Sequence, residues 1–411
     1  MPVTVRTPGL VLTEHEFAVP LDHSHSGGEK ISVFAREVAA SDGLDRPFLV
    51  FFQGGPGHEA PRPTRHPSSP SWLDRALRDY RVLMLDQRGT GRSTPLGDLS
   101  GRSAQQQAEY LTHFRADSIV LDAEWIRVEL GVRRWSILGQ SFGGFCALNY
   151  LSQAPEGLTA AFITGGVPPL DLHPDEIYTA TYARMLERNR RYYQRYPDDR
   201  DRVRRLHEHV EAEEIRLPGG DLLTWRRFRQ LGNALGMSDG AEKLHYLLEL
   251  PADSPAFRHD LQDPMGFTRN PIYAILHEAC YADGQVTDWS AARVQPQEYD
   301  QDPTLLTGEH VFPWMFQDYS GLAGWQGAAE LLAKEPWPAL YDREQLRVNE
   351  VPVAAAVYAD DIYVESTFSL RTAELVRGMR PWLTNEYEHN GLRADGSRIL
   401  SRLIDLTSGR A

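Results

Sequence analysis

Three residue types along this chain could together perform acyl transfer: a serine, then an aspartate, then a histidine. Ser141 lies in GQSFG (residues 139–143), a Gly-x-Ser-x-Gly pattern that is typical of a nucleophile on a strand-to-helix turn. A serine hydroxyl is a poor nucleophile at neutral pH, so it needs a histidine to take its proton and a carboxylate to orient that histidine. The short pattern also occurs in plain turns, so the rest of the chain must supply these partners.

The acid and the base are expected downstream of the serine, in that order. The apolar run VPVAAAVY (351–358) is followed by Asp360 and Asp361. We favour Asp361 as the acid, because Asp360 can be explained as a turn residue and DIYV (361–364) resembles the acid loop of related hydrolases. His389 is the only histidine after Asp361 and lies on the glycine-containing loop EHNG, which makes it the predicted base. The alternative is a solvent-facing loop histidine.

Acyl transfer also requires hydrogen-bond donors for the oxyanion that forms on the attacked carbonyl. The backbone N–H of Phe142, directly after the serine, is one predicted donor. The second is expected from the loop QGGPG (53–57), where glycines let the backbone approach a substrate. We favour the N–H of Gly55, with Gly54 close behind.

The elements that position these residues predict an α/β fold with a mainly parallel sheet. Short apolar runs that end in glycine turns suit parallel strands covered on both faces. Candidate strands are 47–53, 81–86, 135–138 and 158–164, and candidate helices lie at 103–130 and 145–151. Open sheets of this kind place ligand sites at the loops that follow their strands.

A change of pattern divides the chain into three parts. Residues 1–170 carry the strand and helix alternation, 171–345 form a long, charged, mainly helical insertion, and 346–411 resume the sheet pattern. The basic run 188–195 inside the insertion has acidic neighbours and no aromatic stacking platform, so it predicts a solvated helix face instead of a nucleic-acid site.

Composition excludes several classes of function. The chain has 57 acidic and 43 basic side chains and a net charge of -14, which disfavours nonspecific attraction to nucleic acid or an anionic membrane. No run of eighteen apolar residues and no signal-peptide pattern occurs, so a cytoplasmic location is expected. Cys146 and Cys280 belong to no Cys/His array, and two buried thiols are a better interpretation than one disulfide.

The loop DQRGTGRS (86–93) raises the alternative of phosphate binding, because glycine loops can hold phosphates at helix N-termini. Neither a Gly-x-Gly-x-x-Gly fingerprint nor a Gly-x-x-x-x-Gly-Lys-Ser/Thr loop is present. We therefore interpret it as a structural brace beside the site, in which Asp86 is paired or hydrogen-bonded with Arg88 or Arg92.

Taken in order, five segments resemble the proline iminopeptidases, serine peptidases of the α/β-hydrolase fold. They are QGGPG (53–57), DQRGTGRS (86–93), GQSFGG (139–144), YADDIYV (358–364) and EHNGLR (388–393). The similarity is closest to the longer bacterial form and continues through the insertion. One departure is Gln53, where many relatives have histidine before GGPG.

This resemblance implies removal of N-terminal proline from small peptides, without metal or cofactor, beneath a helical cap. It implies that two cap carboxylates, Glu278 and Glu309, bind the free amino group of the substrate; the alternative is that both are ordinary carboxylates. Nearby aromatic residues would wall the proline pocket or belong to the cap core: Tyr273, Phe312, Trp314 and Phe316.

Two other functions stay open at this stage. The same triad could act on another acyl compound, such as an ester, an amino-acid amide or a different N-terminal residue. A hydrolase fold without activity could serve as a binding protein, although no member of the triad is missing here. The sequence leaves the oligomeric state, the physiological peptide and the mobility of the cap open.

Overall fold

A nine-stranded sheet lies at the centre of the computed structural model, which describes residues 3–65, 67–97, 99–262, 264 and 266–410. Its strands are β1 (Val3–Thr7), β2 (Leu10–Pro20), β3 (Lys30–Ala40), β4 (Phe48–Phe52), β7 (Arg81–Leu85), β8 (Trp135–Gln140), β9 (Leu158–Thr164), β10 (Val353–Tyr358) and β11 (Met379–Thr384). Two short strands, β5 (Thr64–Arg65) and β6 (Ser68–Ser69), pair separately as an antiparallel hairpin.

The strand order in the large sheet is β1-β2-β3-β7-β4-β8-β9-β10-β11. The pairs β1–β2, β2–β3 and β3–β7 are antiparallel. From β7 to β11 every neighbouring pair is parallel. The predicted α/β class with a mainly parallel sheet is confirmed.

The two faces of the sheet bury separate hydrophobic clusters. In β4, Val50 belongs to one cluster and Leu49 to the other, because successive side chains of a strand point to opposite faces. Both faces are covered by helices, so the central strands are mostly apolar on both sides. The covering helices are α3 (Ala116–Glu129) and α4 (Phe142–Gln153) on the first face, and α1 (Leu73–Ala76) and α19 (Gly396–Thr407) on the second.

The predicted helical region at 103–130 is two helices instead of one. The first, α2 (Ala104–Leu111), ends in a 3-10 turn, and α3 begins only after the extended residue Arg115. Arg115 is buried, its guanidinium lies 4.7 Å from the centre of the Trp337 ring, and its Nη2 donates to the carbonyl of Pro338. The break turns this side chain inward toward the insertion.

The chain between β9 and β10 is mainly helical. Its helices are α5 (Pro174–Arg195), α6 (Pro197–Ala212), α7 (Trp225–Arg229), α8 (Gly240–Leu248), α9 (Pro255–Gln262), α10 (Pro271–Leu276), α11 (Ser290–Arg293), α12 (Glu298–Gln301), α13 (Met315–Asp318), α14 (Ser320–Ala323), α15 (Gln326–Ala333) and α16 (Arg343–Arg347). After β10 follow α17 (Ser366–Leu375) and α18 (Gly391–Ala394). The division into 1–170, 171–345 and 346–411 stays a prediction.

Three features noted in the sequence have simple structural outcomes. Cys146 and Cys280 are both buried and free, as predicted. On α5 the exposed Arg190 and Arg191 pair with Glu187, which agrees with a solvated helix face over that part of the basic run. No helix within the described ranges is both long and apolar enough to cross a membrane.

Candidate active site

Ser141 occupies the sharp turn between β8 and α4. Its backbone has φ 54° and ψ -124°, a strained conformation for a residue with a side chain. The flanking glycines permit this turn, because a Cβ on Gly139 would collide with the carbonyl of Gly143, and a Cβ on Gly143 would collide with the carbonyl of Phe52. The turn therefore depends on the Gly-x-Ser-x-Gly pattern for steric reasons, and it presents the serine at the carboxyl end of the sheet.

The structure brings the three predicted catalytic side chains together. His389 Nε2 lies 2.9 Å from Ser141 Oγ, and His389 Nδ1 lies 2.7 Å from Asp361 Oδ2. The other carboxylate oxygen of Asp361 accepts hydrogen bonds from the backbone N–H of Tyr363 at 2.8 Å and of Val364 at 3.2 Å. This fixes the carboxylate, which in turn orients the imidazole toward the serine.

The two neighbouring aspartates have different surroundings. Asp361 is 2% exposed and contacts His389, whereas the half-exposed Asp360 carboxylate pairs with Arg191 at 3.2 Å. Of the two candidates that the sequence offers, only Asp361 can orient the histidine in this geometry.

Opposing effects act on the pKa of His389. Burial lowers it, but the charge of Asp361 and its hydrogen bond raise it by more, with a further increase from the charge of Glu309. The net result is a pKa above the usual histidine value, which suits a group that must accept a proton from serine.

Arg188 fastens the two loops that carry the acid and the base, and the sequence analysis did not single it out. Its guanidinium donates to both carboxylate oxygens of Glu388, at 2.8 and 2.6 Å, and its Nη2 also donates to the carbonyl of Asp360 at 2.9 Å. Glu388 and Asp360 directly precede His389 and Asp361. Both residues lie inside motifs that the sequence analysis quotes, but nothing in those motifs indicates a contact with Arg188.

The two predicted oxyanion donors are available on the loop after β4 and at the start of α4. Gly54 lies beside Ser141, but its N–H donates to Gln53 Oε1 at 3.1 Å. None of the hydrogen bonds of the described residues uses the N–H of Gly55 or of Phe142. The geometry therefore favours Gly55 over Gly54 for this role, and Gln53 acts on the turn through its side chain.

A cavity of about 600 Å³ opens at Ser141 and His389. It lies between the loops of the sheet and the helical segment. Among the described residues that line it, Glu309 is the only carboxylate and Arg393 the only guanidinium. Apolar and aromatic walls come from Phe51, Trp72, Phe267, Tyr273, Val311, Met315, Tyr319 and Tyr363. His58 also lines it, directly after the QGGPG motif, and burial lowers the pKa of this histidine.

Glu309 is held at the cavity wall by neighbouring rings. Tyr273 donates its hydroxyl to Glu309 Oε1 at 2.6 Å, and His277 Nε2 lies 4.0 Å from Glu309 Oε2. His277 is 3% exposed, and its two ring nitrogens have no hydrogen-bond partner within the described part of the chain. One carboxylate oxygen of Glu309 thus remains without a close donor, in a site that could take a cation.

Glu278 does not reach this cavity. Its carboxylate accepts hydrogen bonds from the backbone N–H of Ser290 at 3.1 Å and of Ala291 at 2.8 Å. Burial raises its pKa to about 7, against the lowering effect of these bonds. The side chain turns toward α11 instead of the substrate space, so the amine-binding role that the sequence suggested for it stays a prediction that this geometry does not favour.

Of the four aromatic residues suggested as pocket walls, only one lines the cavity. Tyr273 lines the cavity, whereas Phe312 and Phe316 are buried among cap residues and Trp314 stacks on Phe312 at a ring distance of 5.6 Å. For Phe312, Trp314 and Phe316 the alternative of cap core is therefore the one observed.

The prediction for the loop at 86–93 is correct for Arg92, which is hydrogen-bonded to Asp86, and wrong for Arg88. Asp86 is buried and accepts two hydrogen bonds of 2.8 Å from Arg62, in addition to one from the backbone N–H of Arg92. The guanidinium of Arg88 pairs instead with the buried Asp122. Arg88 turns away because Asp122 on α3 offers it a fully buried carboxylate.

Comparison with known proteins agrees with the observed architecture. A family model described as the alpha/beta hydrolase fold matches residues 47–334. A proline iminopeptidase from Aeromonas sobria is 46% identical over 97% of this chain and 97% of its own. A proline iminopeptidase from Aspergillus aculeatus is 34% identical over 98% of this chain and 95% of its own. One from Xylella fastidiosa (strain 9a5c) is 32% identical over 28% of this chain and 31% of its own.

Proposed function

The chain belongs to the proline iminopeptidase family of the α/β-hydrolase fold, and on this premise we propose that it releases N-terminal proline from peptides. The observation that carries the proposal is the hydrogen-bonded series Asp361–His389–Ser141. Its last two members line a cavity whose one described carboxylate is Glu309. The series supplies a nucleophile, and the carboxylate of Glu309 favours a substrate with a free amine, with which it can pair.

In the proposed reaction Ser141 attacks the carbonyl carbon of the proline residue while His389 takes the serine proton. Asp361 holds the imidazole and stabilises its charged form. The N–H groups of Gly55 and Phe142 donate to the oxyanion. His389 then protonates the leaving amine, and it later activates the water that hydrolyses the prolyl-serine ester.

Selection of an N-terminal residue is assigned to Glu309. An aminopeptidase must distinguish a terminal ammonium from an internal peptide nitrogen, and a partly buried carboxylate does so by a charge-assisted hydrogen bond. Tyr273 supports this role because its hydroxyl occupies one oxygen of Glu309 and leaves the other for the substrate.

The proposal extends to location and partners. The substrates are small peptides with an N-terminal proline, and the enzyme acts in the cytoplasm, where its two free buried thiols fit a reducing compartment. The net charge of -14 supports a protein that binds neither nucleic acid nor an anionic membrane.

Hydrolysis of chromogenic amides of proline, alanine and acetyl-proline tests this function. We expect kcat/KM to be about a hundredfold higher for the proline amide than for the acetyl-proline amide, because the blocked nitrogen cannot pair with a carboxylate. Ser141→Ala should lower kcat by about 10⁴-fold or more. Ser26→Ala, which changes an exposed serine outside the cavity, is the matched control and should keep full activity.

The nearest alternative is the same triad acting on another acyl compound. Equal cleavage of proline and acetyl-proline amides, or faster cleavage of simple esters than of either, would replace the aminopeptidase proposal with that alternative.

A further inference from the structure

Arg393 is a charged group of the cavity that the proposed reaction leaves unused. It lies on α18, four residues after His389, and its side chain is exposed at the cavity. Its backbone is fixed, because its carbonyl accepts a hydrogen bond from Ser71 Oγ at 3.1 Å and its N–H donates to the carbonyl of Asn390 at 2.8 Å. The base of this side chain is therefore held in place beside the catalytic loop.

The guanidinium of Arg393 has no carboxylate partner within the described ranges. Its Nη2 donates to Met237 Sδ at 3.3 Å, and a thioether is a weak acceptor that carries no charge. Asp239, two residues further along the chain, pairs with Lys243 at 2.7 Å. The neighbouring Arg188, by contrast, pairs with Glu388, so the charge of Arg393 is left for something that enters the cavity.

Glu309 and Arg393 place opposite charges around the reacting groups. Burial and Asp361 dominate the pKa of His389, but Glu309 also raises that pKa and Arg393 lowers it, so both charges act at the catalytic histidine. A short peptide with free ends is a zwitterion, with an ammonium at one end and a carboxylate at the other. The cavity has one described group of the right sign for each end.

The size of the cavity fits such a ligand. At about 600 Å³ it lies in the range of cavities that enclose drug-sized molecules, so it holds more than a pyrrolidine ring. Each residue after the scissile bond extends the chain by about 3.5 Å, which brings the carboxylate of a di- or tripeptide close to Ser141. Each further residue places the carboxylate farther from Ser141.

We propose that the guanidinium of Arg393 binds the C-terminal carboxylate of the leaving group, which makes di- and tripeptides with N-terminal proline and a free C-terminus the preferred substrates. The inference rests on the proposed aminopeptidase function and deepens it by naming the substrate class. A planar guanidinium suits a carboxylate, to which it can donate two parallel hydrogen bonds. Since Arg393 is exposed, the expected gain is about two- to fivefold in kcat/KM.

The test compares free-acid and C-terminally amidated forms of the same peptides. The substrates are dipeptides and tripeptides with N-terminal proline and glycine at the other positions. Their kcat/KM values are measured for the wild-type protein, Arg393→Gln and Arg402→Gln. Arg402 is exposed on α19, outside the cavity, so its variant loses the same charge without touching the site. Proline p-nitroanilide has no carboxylate, so each variant's peptide kcat/KM is divided by its kcat/KM on this substrate to correct for changes in the chemical step.

We expect the wild-type protein and Arg402→Gln to hydrolyse the free acid about two- to fivefold faster than the amide for at least one peptide length. In Arg393→Gln that ratio should be about one. The preference should also weaken between about 0.01 M and about 1 M salt, because an exposed ion pair is screened. Equal rates for acid and amide in the wild-type protein, or a preference that survives in Arg393→Gln, would overturn the inference. A wild-type protein inactive on the anilide and on every peptide would overturn the aminopeptidase function itself.

Discussion

The guanidinium of Arg188 donates two hydrogen bonds to the carboxylate of Glu388, the residue directly before His389. The same guanidinium donates to the carbonyl of Asp360, directly before Asp361. One side chain of the helical segment thus joins the loops of the proposed acid and base. The segment that covers the cavity also helps to hold the catalytic groups at their hydrogen-bonding distances.

Removal of this link should loosen the catalytic loops without removing a reacting group. We expect Arg188→Met to lower kcat by about tenfold with a smaller change in KM, because a small misplacement of a catalytic group costs rate more than binding. Arg190→Met, on the exposed face of the same helix, is the matched control. Steady-state kinetics on a proline anilide measure both, and equal effects of the two variants would contradict the positioning role.

The two neighbouring aspartates should differ sharply in their effect on activity. Asp361→Asn is expected to lower kcat by about 10⁴-fold, because the amide can no longer hold the histidine in its reactive tautomer. Asp360→Asn removes only a half-exposed ion pair with Arg191 and should change kcat less than about threefold. A larger loss in Asp360→Asn than in Asp361→Asn would exchange their roles.

The pH dependence of kcat/KM should report the raised pKa of His389. The histidine must be neutral to accept the serine proton, so activity falls as the pH decreases through a pKa above the usual histidine value. In Asp361→Asn burial dominates, and the acidic limb of the residual activity should move to lower pH. An unchanged limb in that variant would show that another group titrates.

Glu309 and Glu278 should differ in their effect on recognition of the substrate amine. Glu309→Gln is expected to bring the preference for proline over acetyl-proline amides down by about tenfold or more, because it removes the charge that faces the cavity. Glu278→Gln should keep the preference, since Glu278 is bonded to the backbone at Ser290 and Ala291. The reverse result would restore the amine-binding role to Glu278.

Glu278 should instead affect stability. Its pKa is raised to about 7 by burial, so the folded state holds its proton more tightly than the unfolded state. The stabilising contribution is full below the unfolded pKa and is lost as the pH rises toward 7 and beyond, by about 3 kcal/mol in total. The melting temperature of Glu278→Gln should therefore rise relative to the wild-type protein between pH 5 and pH 8. A constant difference between the two would contradict the raised pKa.

The central strands could be predicted because burial on both faces makes them continuous apolar runs. The long antiparallel strands β2 and β3 mix buried and exposed positions, and β1 is exposed throughout, so none of the three shows that signal. β11 was missed for the same reason, because its residues Arg380, Pro381 and Leu383 are exposed at the edge of the sheet.

The triad could be predicted because chain order and local motifs constrain it. The preference for Asp361 over Asp360 came from the resemblance of its loop to an acid loop. The sequence assigned Glu278 and Glu309 to the same role and could not separate them, because the direction of each side chain depends on the packed structure. The contact from Arg188 to Glu388 joins residues 200 positions apart. No local pattern could have indicated that pairing.

The order of the chain has a consequence for biosynthesis. Ser141 and His389 touch in the folded protein but are 248 residues apart in sequence. The ribosome synthesises the proposed nucleophile, the loop with the proposed oxyanion donor and the whole helical segment before it synthesises the proposed base. The nascent polypeptide therefore carries a serine without its proposed base through most of its synthesis. A product that terminates between the end of β11 and His389 stays inert toward peptides even when its sheet is assembled.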